Sequence, residues 1–210
     1  MTENLTKPFA AGTAGRNHIT VRRLATIPNL LTAYRFAVVP VLLLCFYPGA
    51  SQAVSLLAFT LFLSAALTDL ADGYYARKHK IETVLGKLMD PLADKVLVSS
   101  ALIMLIPMER VPAWVSFLII ARELCITGLR GVAASSGIVV AASGLGKFKS
   151  IAQYTALCIL IFPLGVLPLP FLHDLGLAIL HISLVLTLWS GCQYFYRFQQ
   201  VFLPADNSYD

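Results

Sequence analysis

Six stretches of about 20 mostly apolar residues follow one another along this 210-residue chain, each set off from the next by a short break. A bilayer core about 30 Å thick is crossed by roughly 20 apolar residues in a helix. The stretches fall at about 30–47, 53–77, 86–107, 112–133, 147–167 and 175–197. Pro48-Gly49 closes the first, Pro107 and Pro112 bracket the third turn, and Pro163, Pro168 and Pro170 mark the end of the fifth. Only 13% of the residues are charged and 58% are hydrophobic, whereas a soluble domain carries about 25% charged residues. The expected fold class is therefore an all-α integral membrane bundle of six transmembrane helices in a single domain.

Charge sets the expected orientation. With the N-terminus in the cytosol, that side holds Lys7, Arg16, Arg22, Arg23, Arg77, Lys78, Lys80, Lys87, Arg130, Lys147, Lys149 and Arg197, twelve in all, against Arg110 alone opposite. An even number of spans returns the C-terminus to the cytosol. The net charge of +5 then faces anionic headgroups and phosphorylated substrates, which argues against nucleic acid. Ile19–Tyr34 mixes basic and apolar residues, as an amphipathic interfacial helix or an ordinary basic flank does. No cleaved signal peptide is expected, because the first long apolar run starts only near Phe36. Arg16, Arg22 and Arg23, with few acids nearby, remain compatible with a mitochondrial transit peptide. Cys45, Cys125, Cys158 and Cys192 lie in apolar runs without metal-ligand spacing and read as buried free thiols. Trp114 and Trp189 read as interfacial anchors.

Chemistry concentrates in Thr68–Lys95, where Asp69, Asp72, Asp90 and Asp94 stand beside apolar helical sequence. Carboxylates in such places are costly and mark function. Positions three or four apart share a helix face, so Asp69 pairs with Asp72 and Asp90 with Asp94. The short loop Lys78–Leu85 makes the two helices antiparallel neighbours, and the pairs can meet across one space near the cytosolic interface. Four carboxylates there repel strongly unless neutralised. All-oxygen ligands favour magnesium or manganese, and four acids can hold two such ions about 4 Å apart, an arrangement suited to displacement at phosphorus. Gly73 and Gly86 let a nucleotide or pyrophosphate approach the backbone, beside the small Ala76. Arg77 offers a planar fork to phosphate oxygens. The same residues also read as tight helix packing, with the acids satisfied by Arg77, Lys87 and Lys95.

These residues form the pattern D-x2-D-G-x2-A-R-x8-G-x3-D-x3-D, met at Asp69, Asp72, Gly73, Ala76, Arg77, Gly86, Asp90 and Asp94 without departure. In this the chain resembles the class-I CDP-alcohol phosphatidyltransferase family, and the six-span reading resembles the family's fold over nearly all of the chain. The resemblance implies that Asp69, Asp72 and Asp90 are metal ligands and that Asp94 is both ligand and general base. It implies nucleotide and pyrophosphate contacts for Gly73, Ala76, Arg77 and Gly86, CDP-diacylglycerol as lipid donor, two divalent cations (magnesium or manganese) and a homodimer. The expected organisation is a polar and interfacial segment over 1–27, a six-helix catalytic domain over 28–200 and a tail over 201–210. A cytosol-facing active site in a bacterial inner membrane follows as the expected location.

A looser resemblance concerns the acceptor. Pro28–Arg35 (PNLLTAYR), Met89–Lys95 (MDPLADK), Ala121–Arg130 (ARELCITGLR) and Gly146–Ser150 (GKFKS) resemble the branch of the family that uses sn-glycerol 3-phosphate, with Ser150 where threonine is usual. A phosphorylated acceptor needs fixed cations near the metal site. Arg122 and Arg130, eight apart, can border one pocket. Lys147 and Lys149 start the next span on the same side, where basic anchors also belong. Arg122 has a local alternative in an ion pair with Glu123. Asn29 and Arg35 read as nucleotide or acceptor contacts, or as a helix cap and an interfacial anchor. Inositol phosphate, phosphatidylglycerol and serine are the other acceptors the chemistry admits. Outside this class, an ion-coupled transporter predicts acids at mid-membrane and an internal repeat, and a metal-stabilised structural protein needs no cationic pocket.

Overall fold

A computed structural model describes residues 27–79, 84–135, 145–163, 166, 169 and 171–202. Six helices lie among the described residues: α1 (Ile27–Cys45), α2 (Gln52–His79), α3 (Val84–Leu105), α4 (Ala113–Ser135), α5 (Leu145–Ile161) and α6 (Leu172–Phe202). Residues 1–26 and 203–210 lie outside the described residues, and so does most of the N-terminal segment expected to be interfacial. Its last part, Ile27–Tyr34, forms the first turns of α1.

Proline and glycine chemistry accounts for most of the helix ends. After α1, the chain turns over Tyr47–Ala50, with Gly49 at φ 84° and the Ala50 amide donating to the Tyr47 carbonyl at 3.1 Å. Pro-Gly is suited to such a turn because proline presets the first central residue and glycine tolerates positive φ at the second. The fifth helix stops at Ile161, short of the expected 167, since Pro163 disfavours helical backbone in the residue before it. α6 runs on through the expected end at 197 to Phe202.

α3 ends differently. The Arg110 amide donates to the Leu105 carbonyl at 3.1 Å and the Glu109 amide to that of Ile106 at 2.9 Å, with Glu109 at φ 58°. This is a Schellman closure with glutamate in the left-handed position usually given to glycine. Arg110 then reaches the end of α5, its Nη1 donating to the carbonyls of Leu160 at 2.7 Å, Phe162 at 3.2 Å and Ile161 at 3.3 Å. A cation over the last carbonyls of a helix satisfies acceptors without intrahelical partners. Burial lowers the Arg110 pKa, but an arginine remains charged. The one basic residue expected on the far side thus has a structural use.

The core is built from alternating small and large residues. Ala58, Phe62 and Ala65 of α2, Leu97, Ala101 and Leu105 of α3, and Ala156, Leu157 and Leu160 of α5 are all almost completely buried. The alanines let neighbouring helices approach closely. α1 packs on α2 and α3, α6 packs on α5 and α4, and α3 joins the two groups by touching α4 and α5.

The outward faces are also apolar. Leu44, Phe117, Val185 and Trp189 are between 61% and 79% exposed, a distribution that water disfavours and lipid accepts. Among the described residues, one stretch, Leu172–Gln199, is long and apolar enough to cross a membrane by length and composition, with a mean hydropathy of 1.8. Asn29–Cys45, Gln52–Thr68 and Phe148–Ile161 are apolar but shorter. The ionisable residues of α2, α3 and α4 and the early stop of α5 account for part of this difference from six full-length apolar spans.

Candidate active site

Asp90 and Asp94 stand one turn apart on α3, on the same face, with Pro91 between them. Proline has no N–H, so the helical ladder misses a bond just here. Each carboxylate is held from another helix. The Thr32 hydroxyl of α1 donates to Asp90 Oδ1, and Arg35 Nη2 lies 3.6 Å from the same oxygen. Arg35 is 0% exposed, while the Asp90 side chain is 36% exposed. A buried guanidinium is tolerable only with charge and hydrogen-bond partners, and Asp90 supplies one of them. The Tyr154 hydroxyl of α5 donates to Asp94 Oδ1.

A second group of charges faces Asp94 across a cleft lined among others by Lys95, Ser99, Glu123, Lys149, Gln153 and Tyr154. Here Glu123 Oε1 accepts from Lys149 Nζ and from Arg122 Nη1, the latter at 3.0 Å. Arg122 Nη2 donates to Ser190 Oγ of α6 at 2.7 Å. Its stem lies against Gly191, where an added Cβ would meet Nε at 3.1 Å and Cγ at 3.2 Å. The absence of a side chain at Gly191 lets the arginine pass that close to α6.

The expected site residues are only partly brought together. Asp90, Asp94, Arg122 and Lys149 belong to this neighbourhood, and Asn29 precedes Thr32 by three residues on α1. The local ion pair between Arg122 and Glu123 is present, and it extends to Lys149. Arg130, two turns further along α4, is exposed and does not line the cleft; its guanidinium carbon lies 5.7 Å from the centre of the Tyr194 ring, in cation–π range. Asp69, Asp72, Gly73, Ala76 and Arg77 lie on α2, Gly86 on α3 and Lys147 on α5, but their side chains lie outside the described residues.

Local sequence spacing does not point to Thr32, Tyr154, Ser190 or Gln153. Each is a polar residue inside an apolar run, and only the distance between elements relates it to the acids. Glu123 was visible as a neighbour of Arg122 but not as the junction of two cations.

Among the described residues, no group of three or more His, Cys, Asp or Glu side chains is arranged to hold a metal ion. The donor chemistry of Asp90 and Asp94 does fit a hard divalent cation, since both offer carboxylate oxygens from one helix face. Such an ion would also need ligands from a second element.

Comparison with known proteins identifies the family. The family model described as CDP-alcohol phosphatidyltransferase matches residues 25–189. A Bacillus subtilis protein named CDP-diacylglycerol–glycerol-3-phosphate 3-phosphatidyltransferase is 39% identical over 183 residues, covering 80% of this chain and 93% of the relative. A Rickettsia felis protein of the same name is 41% identical over 169 residues, with the same coverage. A Mycobacterium tuberculosis protein named probable phosphatidylglycerophosphate synthase is 36% identical over 177 residues, covering 83% of this chain and 82% of the relative. With a matched region that runs from the start of α1 into α6 and contains the whole acidic pattern, the chain belongs to the CDP-alcohol phosphatidyltransferase family.

Proposed function

We propose that this protein transfers the phosphatidyl group of CDP-diacylglycerol to sn-glycerol 3-phosphate, giving phosphatidylglycerol phosphate and CMP. The observation that carries the proposal is the cleft itself, in which Asp94 on α3 faces Lys149 and Glu123 on α5 and α4. The names of relatives near 40% identity support the donor and acceptor.

In this reading Lys149 and Arg122 hold the acceptor phosphate, and Arg130 and Lys147 add positive charge on the same side of the bundle. Asp94 accepts the proton of the acceptor's primary hydroxyl. That oxygen forms a bond to the lipid-side phosphorus as the bond from this phosphorus to the CMP oxygen breaks. Asp69, Asp72, Asp90 and Asp94 would hold two divalent cations, magnesium or manganese, which when bound supply charge stabilisation at the pyrophosphate. Asn29, Gly73, Ala76, Arg77 and Gly86 would contact the nucleotide and pyrophosphate. Positioning and charge stabilisation are the main needs of phosphoryl transfer.

The apolar outward faces support a bundle of six transmembrane helices with the catalytic domain at 28–200, a polar and interfacial segment at 1–27 and a tail at 201–210. The excess of basic residues at one end supports a cytosolic site with both termini on that side. We place the protein in a bacterial inner membrane, as a homodimer by family resemblance. Purified protein given CDP-diacylglycerol, sn-glycerol 3-phosphate and magnesium should form a phospholipid with two phosphates. Asp94→Asn should bind CDP-diacylglycerol and form none. An active wild type with near-normal turnover in the variant would remove Asp94 from the role of base.

A further inference from the structure

Four residues of α5, Lys149, Ser150, Gln153 and Tyr154, border the cleft that holds Asp94. Their spacing puts them on one helix face. The two ends of this row are already engaged, Lys149 with Glu123 and Tyr154 with Asp94. Gln153 lies between them and is 4% exposed. A carboxamide that borders the cleft can hydrogen-bond a group that enters it.

We propose that Gln153 determines acceptor specificity by hydrogen-bonding the middle hydroxyl of a three-carbon phosphorylated acceptor. The assignment rests on the transfer proposed above. Lys149 and Gln153 are one turn apart, a rise of about 6 Å, comparable with the length of a glycerol phosphate from its phosphorus to its far hydroxyl. The row therefore matches the acceptor group by group. A cation meets the phosphate, an amide meets the secondary hydroxyl, and a tyrosine-held carboxylate meets the attacking primary hydroxyl. A hydroxyl both donates and accepts, and a carboxamide is the side chain that answers both needs without charge. A site built to hydrogen-bond a hydroxyl rejects the analogue lacking it, because its own polar group is then left unpaired.

The test compares two acceptors in CMP release from CDP-diacylglycerol: sn-glycerol 3-phosphate and 3-hydroxypropyl phosphate, which lacks only the middle hydroxyl. The wild type should prefer the glycerol ester by about tenfold to hundredfold in kcat/KM. Gln153→Leu should lose most of that factor with the glycerol ester and much less with the deoxy ester, so that the ratio falls toward one. Gln153→Met, unbranched and of similar length, should do the same and serves if the leucine variant fails to fold. The KM for CDP-diacylglycerol should stay within about twofold, since the amide touches only the acceptor. A wild type that does not distinguish the two acceptors overturns the assignment. So does an unchanged ratio in a folded variant, or an equal loss with both acceptors. If the wild type releases no CMP with sn-glycerol 3-phosphate, the proposed function itself fails and the assignment falls with it. A working wild type with an unmoved ratio removes the assignment alone.

Discussion

Tyr154→Phe isolates one hydroxyl at the centre of the site. The ring of Tyr154 lies tilted against Phe62, with centroids 6.1 Å apart and planes at 37°. Phenylalanine retains that packing and removes the hydroxyl that donates to Asp94. A hydrogen bond to a charged group contributes about 1.5–3 kcal/mol. Asp94 borders an open cleft, so water can replace part of the lost interaction. About 1–2 kcal/mol should therefore appear as a barrier increase, corresponding to roughly a 5- to 30-fold fall in kcat. The assay is initial-rate CMP release with each substrate varied in turn, beside thermal unfolding in detergent. Both KM values should hold within about twofold, because the carboxylate is misplaced while neither binding surface is altered. The unfolding midpoint should barely move. A kcat within about twofold of wild type would refute the claim that Tyr154 orients Asp94. A rise in the CDP-diacylglycerol KM that accounts for the whole loss would show that the hydroxyl serves donor binding instead.

The other predictions concern the acceptor cations and the far end of the bundle. Arg122→Ala should raise the sn-glycerol 3-phosphate KM several-fold more than Arg130→Ala, because Arg122 joins the Glu123–Lys149 group while Arg130 is exposed over Tyr194; steady-state kinetics with equal effects would contradict this. Arg110→Ala should destabilise the fold by about 2 kcal/mol, since three carbonyls at the end of α5 lose a charged donor. Thermal unfolding measures this, and an unmoved midpoint would contradict it. Glu109→Gly relieves a left-handed backbone and should stabilise the protein by up to about 1 kcal/mol after the greater chain entropy of glycine is counted. A lower midpoint than wild type would show that the Glu109 side chain contributes more than its backbone costs.

What was legible in the sequence followed from rules of local spacing. The six helices could be read because apolar runs of helical length alternate with proline and glycine breaks. The pairing of Asp90 with Asp94 follows directly from a four-residue interval on one helix. A local signal can also override the apolar run: Pro163 ends α5 at Ile161, several residues before the run of apolar residues stops. The partners of the acids were a different matter. Thr32 lies 58 positions from Asp90, and Tyr154 lies 60 from Asp94. No periodicity connects them, because the relation exists only after α1 and α5 have packed on α3. Arg110 was legible as an exception to the charge bias, but its reason was not, since a capping cation and an unneutralised loop cation look alike until the carbonyls of α5 are in place. Arg122 showed the opposite limit. Both its ion pair with Glu123 and its place beside Lys149 were foreseeable one at a time, and the structure combines them through one carboxylate oxygen.

The central claim is that this cleft joins CDP-diacylglycerol to a phosphorylated three-carbon alcohol. The most direct measurement is CMP release by the purified protein with CDP-diacylglycerol and magnesium, offering sn-glycerol 3-phosphate, inositol phosphate, phosphatidylglycerol and serine one at a time, each with and without EDTA. Release with sn-glycerol 3-phosphate alone, abolished by EDTA and restored by excess magnesium, is the predicted result. Release with a different acceptor would keep the chemistry and overturn the acceptor. A folded protein that releases CMP with none of them would contradict the account.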